Sequence, residues 1–287
     1  MARKLKVSAA VLNLRIHPHS ADKYVELFRA VYALKSPAQV HGDRNGMISS
    51  ASFQEKDKGT LSGVITTFTD LPEEGTWFDA EELDEASDEK LADLSIPPGI
   101  FPNAATYFFK FTIGDHRFYM ETYSRGKSIT PRSSLKLIRG LFGHPRIVEK
   151  FGQPSISLVQ DKDGLAALFS IDRIKRIEIT IEKPNSDILA DDFEEEIEKH
   201  LLETKAQKVT LLYEAVPGQS LVPSKDIQRA GSVALANGDV RVVGRNDGMA
   251  FDASTNEYPK VLRGQYDPEI TSEQQAFNSL ISNHNED

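Results

Sequence analysis

The chain has 287 residues, enough for a sizeable buried core and for about two domains or one elaborated domain. Its 39% hydrophobic and 27% charged residues exclude a wholly disordered or collagen-like chain, and its lack of cysteine excludes disulfides, thiolate zinc sites and cysteine nucleophiles. The net charge of −9 still allows an anionic partner, because residues 70–93 alone hold eleven acids against one lysine. Since no apolar stretch has the length of a membrane span or the form of a signal core, we expect a cytoplasmic protein without membrane insertion.

The N-terminal part, residues 1–69, predicts the order strand, helix, strand, strand. Residues 5–16 alternate apolar and polar side chains, as a half-buried strand does. A helix with apolar residues at spacings of three and four begins after Ser20, a favourable capping residue. Residues 46–56 and 60–68 then flank a short polar turn and predict a hairpin.

An acidic insert, residues 70–99, follows, and its charge density disfavours close packing. The next predicted elements are an aromatic hairpin at 106–113 and 116–123, a basic amphipathic helix after Pro131, strands at 155–160, 173–182 and 208–213, helices at 163–170, 184–204 and 224–236, and strands at 239–245 and 249–252. The polar residues from 271 onward predict either a disordered tail or a marginal terminal helix.

These elements predict an α+β fold in which layered mixed or antiparallel sheets carry packed helices, with two ferredoxin-like halves as the suggested topology. The predicted division is an N-terminal α+β part (1–69), the acidic insert (70–99), a central α/β sandwich domain (100–215), a C-terminal helix and hairpin (216–270) and a tail (271–287).

Residues 124–150 are strongly basic, with seven bases and a single acid, Glu149. The bases are Arg125, Lys127, Arg132, Lys136, Arg139, Arg146 and Lys150. Such a density can neutralise several backbone phosphates, and Tyr107, Tyr119 and Tyr123 would add stacking faces if they were exposed. The alternative is that these tyrosines belong to the core and that the bases solvate a helix face and pair with the acidic insert. An acidic insert resting on the basic surface would compete with nucleic acid.

Two weaker patterns suggest metal chemistry. Glu178 and Glu182 lie on one face of a predicted strand, where two carboxylates would suit a metal-dependent nuclease. His17 and His19 could reach one metal if the first strand continued that far, but no third ligand is apparent nearby. Both patterns are also what an ordinary half-buried strand and structural histidines show, so the sequence predicts no metal and no cofactor.

Residues 173–187, RIKRIEITIEKPNSD, and the closing residues 238–248, GDVRVVGRNDG, resemble a bacterial and prophage family of unknown function. The order of hairpin, basic helix and layered sheet is more distantly similar to RexA, a phage-exclusion protein described as a DNA-binding dimer that signals to a partner. The resemblance implies a mobile-element or antiviral-defence setting. The similarity to RexA carries over no functional residue, because it depends on the order of the elements.

The sequence therefore predicts a protein, more binding module than enzyme, that binds DNA, RNA or a partner defence protein in phage defence or prophage exclusion. The seven bases would supply the phosphate contacts, and a homodimer is expected because symmetric association is common. The enzymatic alternative is a metal-dependent nuclease using Glu178 and Glu182. A third alternative is a purely protein-binding subunit whose acidic residues 70–93 bind a basic partner.

Overall fold

The computed structural model describes residues 4–71, 76–91, 96–182 and 192–284. Its strands are β1 (Leu5–Arg15), β2 (Ala38–His41), β3 (Arg44–Ser52), β4 (Thr60–Thr69), β5 (Phe78–Asp79), β6 (Asp84–Glu85), β7 (Ala105–Thr112), β8 (Arg117–Ser124), β9 (Lys127–Ser128), β10 (Ser155–Leu158), β11 (Arg173–Glu182), β12 (Lys208–Glu214), β13 (Gly238–Asn246), β14 (Met249–Ser254) and β15 (Val261–Tyr266). Its helices are α1 (Ala21–Leu34), α2 (Asp88–Leu91), α3 (Pro131–Phe142), α4 (Pro145–Phe151), α5 (Lys162–Phe169), α6 (Asp192–Glu203), α7 (Lys225–Asn237) and α8 (Glu273–His284).

The larger sheet runs in the order β10-β1-β8-β7-β4-β3-β2, with β9 added to β8 and β15 added to β1. β1 pairs with three strands: one edge pairs with β8, while the other pairs with β15 along Leu5–Ala10 and with β10 along Leu12–Arg15. Strands from the start, middle and end of the chain therefore meet on β1. This sheet contains strands from three of the predicted segments. The domain boundaries themselves stay a prediction.

Helices cover both faces of the larger sheet. On one face, α1, α3 and α4 enclose the main core, in which Tyr24, Phe28, Phe109, Phe118 and Phe142 are almost completely buried. On the other face, α8 packs Phe277 and Ile281 against side chains of β1, β8 and β15. The mainly polar segment after residue 271 thus contains enough apolar side chains to form one face of a helix. That face anchors α8 to the sheet.

The smaller sheet has the order β12-β11-β13-β14, and α5 and α7 cover one of its faces. The alternating isoleucines of β11 fill this second core, and its bounds match the predicted strand. Part-buried polar contacts join the smaller sheet and its helix α7 to residues of the larger sheet and its surroundings: the Asn13 side-chain amide donates to the carbonyl of Ala236 on α7 at 3.1 Å, and that of Gln160, just after β10, donates to the carbonyl of Gly238 on β13 at 2.6 Å.

The α+β class, with layered sheets and packed helices, is confirmed. All described strand pairs within these sheets are antiparallel. The suggested ferredoxin-like halves stay a prediction. None of the helices in the described part has the length and apolar character needed to cross a membrane.

Candidate nucleic-acid interface

Helix α3 presents three cations to solvent because its apolar side chains face the sheet. The Thr130 hydroxyl caps the helix by accepting from the backbone N–H of Ser133 at 3.1 Å, and a proline occupies the first turn. Its buried positions are Ser134, Leu137, Ile138, Leu141 and Phe142. Arg132, Lys136 and Arg139, spaced by four and three residues, are left on the exposed face.

Helix α4 follows after only Gly143 and His144 and adds two more cations. Its cap is His144, whose ring Nδ1 accepts from the backbone N–H of Arg146 at 3.3 Å. Ile147 is buried, while Arg146 and Lys150, four residues apart, are exposed. We call Arg132, Lys136, Arg139, Arg146 and Lys150 the basic stripe.

The described contacts of the basic stripe leave its charge uncompensated. Lys136 Nζ donates to the side-chain carbonyl of Gln39 at 2.7 Å, and Arg139 Nε donates to the carbonyl of Ile156 at 2.8 Å. Lys150 Nζ lies 5.0 Å from the centre of the Phe151 ring. These partners are neutral, and within the described residues no ion pair joins the stripe to a carboxylate.

The other two bases that were predicted to contact phosphates, Arg125 and Lys127, lie outside helices α3 and α4. Arg125 lies in the turn between β8 and β9 with a left-handed backbone, and its guanidinium Nε is 3.5 Å from Glu273 Oε2 on α8. Lys127 Nζ donates to the carbonyl of Ala104 at 2.7 Å. The seven predicted bases are all exposed, but the structure places only five of them on the α3–α4 helix pair. Their role in binding stays a prediction.

Two of the three tyrosines that would offer stacking faces if exposed are buried. Tyr107 is completely buried and Tyr119 is 4% exposed, because both rings pack into the cores on either side of the larger sheet. Tyr123 is half-buried. The aromatic hairpin is therefore mainly core, as the alternative interpretation had it, and contacts from this region would be to phosphates rather than to base faces.

The described acidic insert makes its ion pairs internally. Lys90 contacts Asp79 and lies 2.9 Å from Glu82, and its hydrogen bond lowers the pKa of the Asp79 carboxyl. At the root of the insert, Asp70 accepts a hydrogen bond from the Asn45 side chain at 3.0 Å. No described contact joins these carboxylates to the basic stripe, and residues 72–75 and 92–95 lie outside the described part. Competition between insert and nucleic acid stays a prediction.

The carboxylates of the nuclease alternative have separate partners. Glu178 accepts from Arg176 Nη2 at 2.9 Å, and Glu182 accepts from the Ser155 hydroxyl at 3.3 Å. Sequence reasoning missed Asp239, which the β11–β13 register brings opposite Thr180. Burial raises the pKa of Asp239, although the Ser254 hydroxyl at 3.3 Å lowers it. In the described chain, no three His, Cys, Asp or Glu side chains converge closely enough to hold a metal.

The paired histidines lie in an aromatic cluster. The ring centres of His17 and His19 are 5.8 Å apart, and His19 is 5.0 Å from the buried His116 ring of the β7–β8 hairpin. Tyr24 of α1 closes the cluster at 5.1 Å from His116. Its non-local member, His116, gave no signal in the sequence because the contact arises only when the hairpin packs beside α1.

The fold and the stripe define an α+β protein whose large antiparallel sheet carries a basic helix pair on one face. The chain belongs to the family described as a domain of unknown function, DUF4747, whose model matches residues 5–282. Both sheets and the whole basic stripe lie within the matched residues. This confirms the resemblance to a family of unknown function, while the similarity to RexA and a prophage origin stay predictions. No curated protein matches the chain.

Proposed function

We propose that this protein binds nucleic acid through the basic stripe and acts as a binding module rather than an enzyme. The observation that supports the proposal is the placement of five exposed cations on two consecutive helices, with no carboxylate partner among the described residues. The described ion pairs of the acidic insert are made with its own Lys90 and not with the basic stripe.

The spacing of the stripe suits a phosphate backbone. A rise of 1.5 Å per residue separates Arg132 from Arg139 by about 10 Å along α3, a span over which the cations of the helix can contact more than one phosphate of a strand. Phosphate contacts fix register without reading bases, and the candidate stacking rings Tyr107 and Tyr119 are buried. We therefore expect binding that depends strongly on salt and weakly on base sequence.

Charge reversal on α3 tests the proposal. The K136E/R139E variant replaces two exposed cations, so we expect it to abolish the mobility shift of labelled DNA or RNA at about 50 mM salt. The matched control is K56E/K58E, which makes the same change in net charge on an exposed turn where Lys58 pairs with Glu55 at 3.6 Å. Unchanged binding by K136E/R139E, or equal loss in the control, rejects the stripe as the interface.

A protein-binding function of the acidic insert is the second candidate, because Phe78 is 69% and Leu83 is 77% exposed among its carboxylates. Exposed apolar side chains in a charged setting are typical of a partner-binding surface. The F78S/L83S variant should then lose a basic protein partner and keep nucleic-acid binding. A phage-defence setting, a cytoplasmic location and a homodimer stay predictions.

The nuclease alternative has a direct test. Incubation of the protein with labelled DNA or RNA in magnesium or manganese buffer should leave the strands intact if it only binds them. Cleavage that is lost in E178Q and E182Q would instead support catalysis by these carboxylates.

A further inference from the structure

A cavity of about 290 Å³ opens beside the last turn of α4, at the Lys150 end of the basic stripe. The β1–α1 connection contributes His17 and Pro18 to its lining, and α1 contributes Lys23 and Glu26. On the α4 side the lining is formed by Lys150 and Phe151. Lys150 thus belongs both to the stripe and to this cavity, whereas Lys23 and Glu26 belong to the cavity alone.

Two ammonium groups supply the positive charge of this cavity. Lys23 Nζ donates to the carbonyl of Pro18 at 3.4 Å, which holds the amine at the β1–α1 connection. Lys150 Nζ is held over the Phe151 ring, 5.0 Å from its centre. In the described structure neither lysine forms an ion pair within 4 Å, so both keep donors for an anion.

The remaining walls favour an anion that carries a sugar or base over a bare inorganic ion. Glu26 repels free anions but is a good acceptor for a ribose hydroxyl or a base amino group. The half-buried Phe151 ring offers apolar contact area. A phosphate monoester has nearly two negative charges at neutral pH, so it gains more from the two lysines that line this cavity than an internal phosphodiester, which has one.

We propose that this cavity binds the terminal phosphate monoester of a nucleic-acid strand whose backbone lies along the basic stripe. The inference rests on the proposed function, because the stripe supplies the contacts to the internal phosphates. The cavity should give the protein a preference for strands with phosphorylated ends, which the basic stripe alone would not produce.

Fluorescence anisotropy with internally labelled single strands of one sequence tests this preference. The strands carry a 5′-phosphate, a 3′-phosphate or hydroxyls at both ends. We expect at least one phosphorylated strand to bind roughly tenfold more tightly than the hydroxyl strand, the gain typical of one charge-assisted contact. Equal affinity for all three strands overturns the inference and leaves the proposed function intact.

Variants separate the cavity from the stripe. K23Q should remove the gain from the terminal phosphate and leave binding of the hydroxyl strand unchanged, whereas K136E/R139E should weaken binding of all strands. K35Q, at the exposed C-terminal cap of the same helix, is the matched control and should keep the gain. Persistence of the gain in K23Q overturns the assignment to this cavity.

Free ligands distinguish a strand end from a small molecule. Inorganic phosphate and a nucleoside monophosphate should compete weakly with the phosphorylated strand, since they lack the stripe contacts. If a nucleoside monophosphate binds while no strand binds, the cavity serves a free nucleotide, and both the strand-end inference and the proposed function are wrong. If neither a strand nor the nucleoside monophosphate binds, the strand-end inference and the proposed function are both wrong.

Discussion

Glu121 lies on the face of the larger sheet that α8 covers, and its side chain has no exposed surface. One carboxyl oxygen accepts the backbone N–H of Phe108 at 3.0 Å, and the other has no hydrogen-bond partner. Burial raises the pKa of Glu121 to about 8; the Phe108 N–H lowers it, the Glu273 carboxylate raises it and the Arg125 guanidinium lowers it. At neutral pH the carboxyl is therefore mainly protonated.

This raised pKa predicts how stability depends on pH. The folded pKa lies above the ordinary value of 4.5, so the folded state binds the proton more tightly than the unfolded state. The contribution of Glu121 to the free energy of unfolding is fully present below about pH 4.5 and is lost as the pH rises to about 8. E121Q mimics the protonated form, so its melting temperature should exceed that of the wild type by several degrees at pH 8.5 and match it near pH 4. A difference in melting temperature between the two proteins that stays the same across this pH range would contradict the raised pKa.

Gly238 shows why a side chain cannot be added at the start of β13. A Cβ atom built there would lie 1.8 Å from the backbone carbonyl oxygen of Thr180, and backbone atoms of a paired strand cannot move aside cheaply. G238A should therefore destabilise the protein by about 3 kcal/mol or more, measured by urea unfolding. G248A should cost less, because its built Cβ meets no atom within 4 Å and only the left-handed backbone is strained. Equal losses in the two variants would contradict the clash.

At the scale of elements, α8 is held to the sheet by Phe277, which is 1% exposed, and by Ile281. F277A should lower the free energy of unfolding by about 3–5 kcal/mol, as truncation of a buried aromatic side chain does. S279A, an exposed change on the same helix, should have little effect. A small loss in F277A, measured by urea unfolding, would show that α8 is not part of the cooperative core.

Sequence patterns predicted the long elements well and the short ones poorly. The strong alternation of β11 gave bounds identical to those observed, and the Ser20 cap and apolar spacing located α1. The elements without a prediction include β2, β15 and α4, which have four, six and seven residues. β15 depends on a non-local partner, because it pairs with β1 from about 250 residues away, and local patterns carry no record of such pairing.

The candidate interface shows the same limit. The outward direction of Lys136 and Arg139 follows from the apolar spacing of α3, so sequence alone could predict it. The separation of Arg125 from the stripe could not be predicted, because it depends on a left-handed turn and on the docking of α8. Likewise, nothing local revealed that Lys23 lines the same cavity as Lys150.

At the scale of the whole molecule, charge is divided between an acidic insert with internal ion pairs and a helix pair with unpaired cations in the described structure. A net charge of −9 suggests repulsion from nucleic acid, but local surface potential decides where a polyanion binds. Repulsion by the rest of the surface should matter most at low salt, where the Debye length is longest.

The salt dependence of duplex DNA binding tests the central claim most directly. Anisotropy titrations between about 50 and 200 mM salt give the slope of log affinity against log salt, which falls by about 0.9 for each phosphate contact. We predict a wild-type slope of about −3 to −4.5 for three to five stripe contacts, a slope shallower by about 2 in K136A/R139A, and no change in K56A/K58A. Identical slopes for the wild type and K136A/R139A, or no binding by the wild type at low salt, would contradict the account.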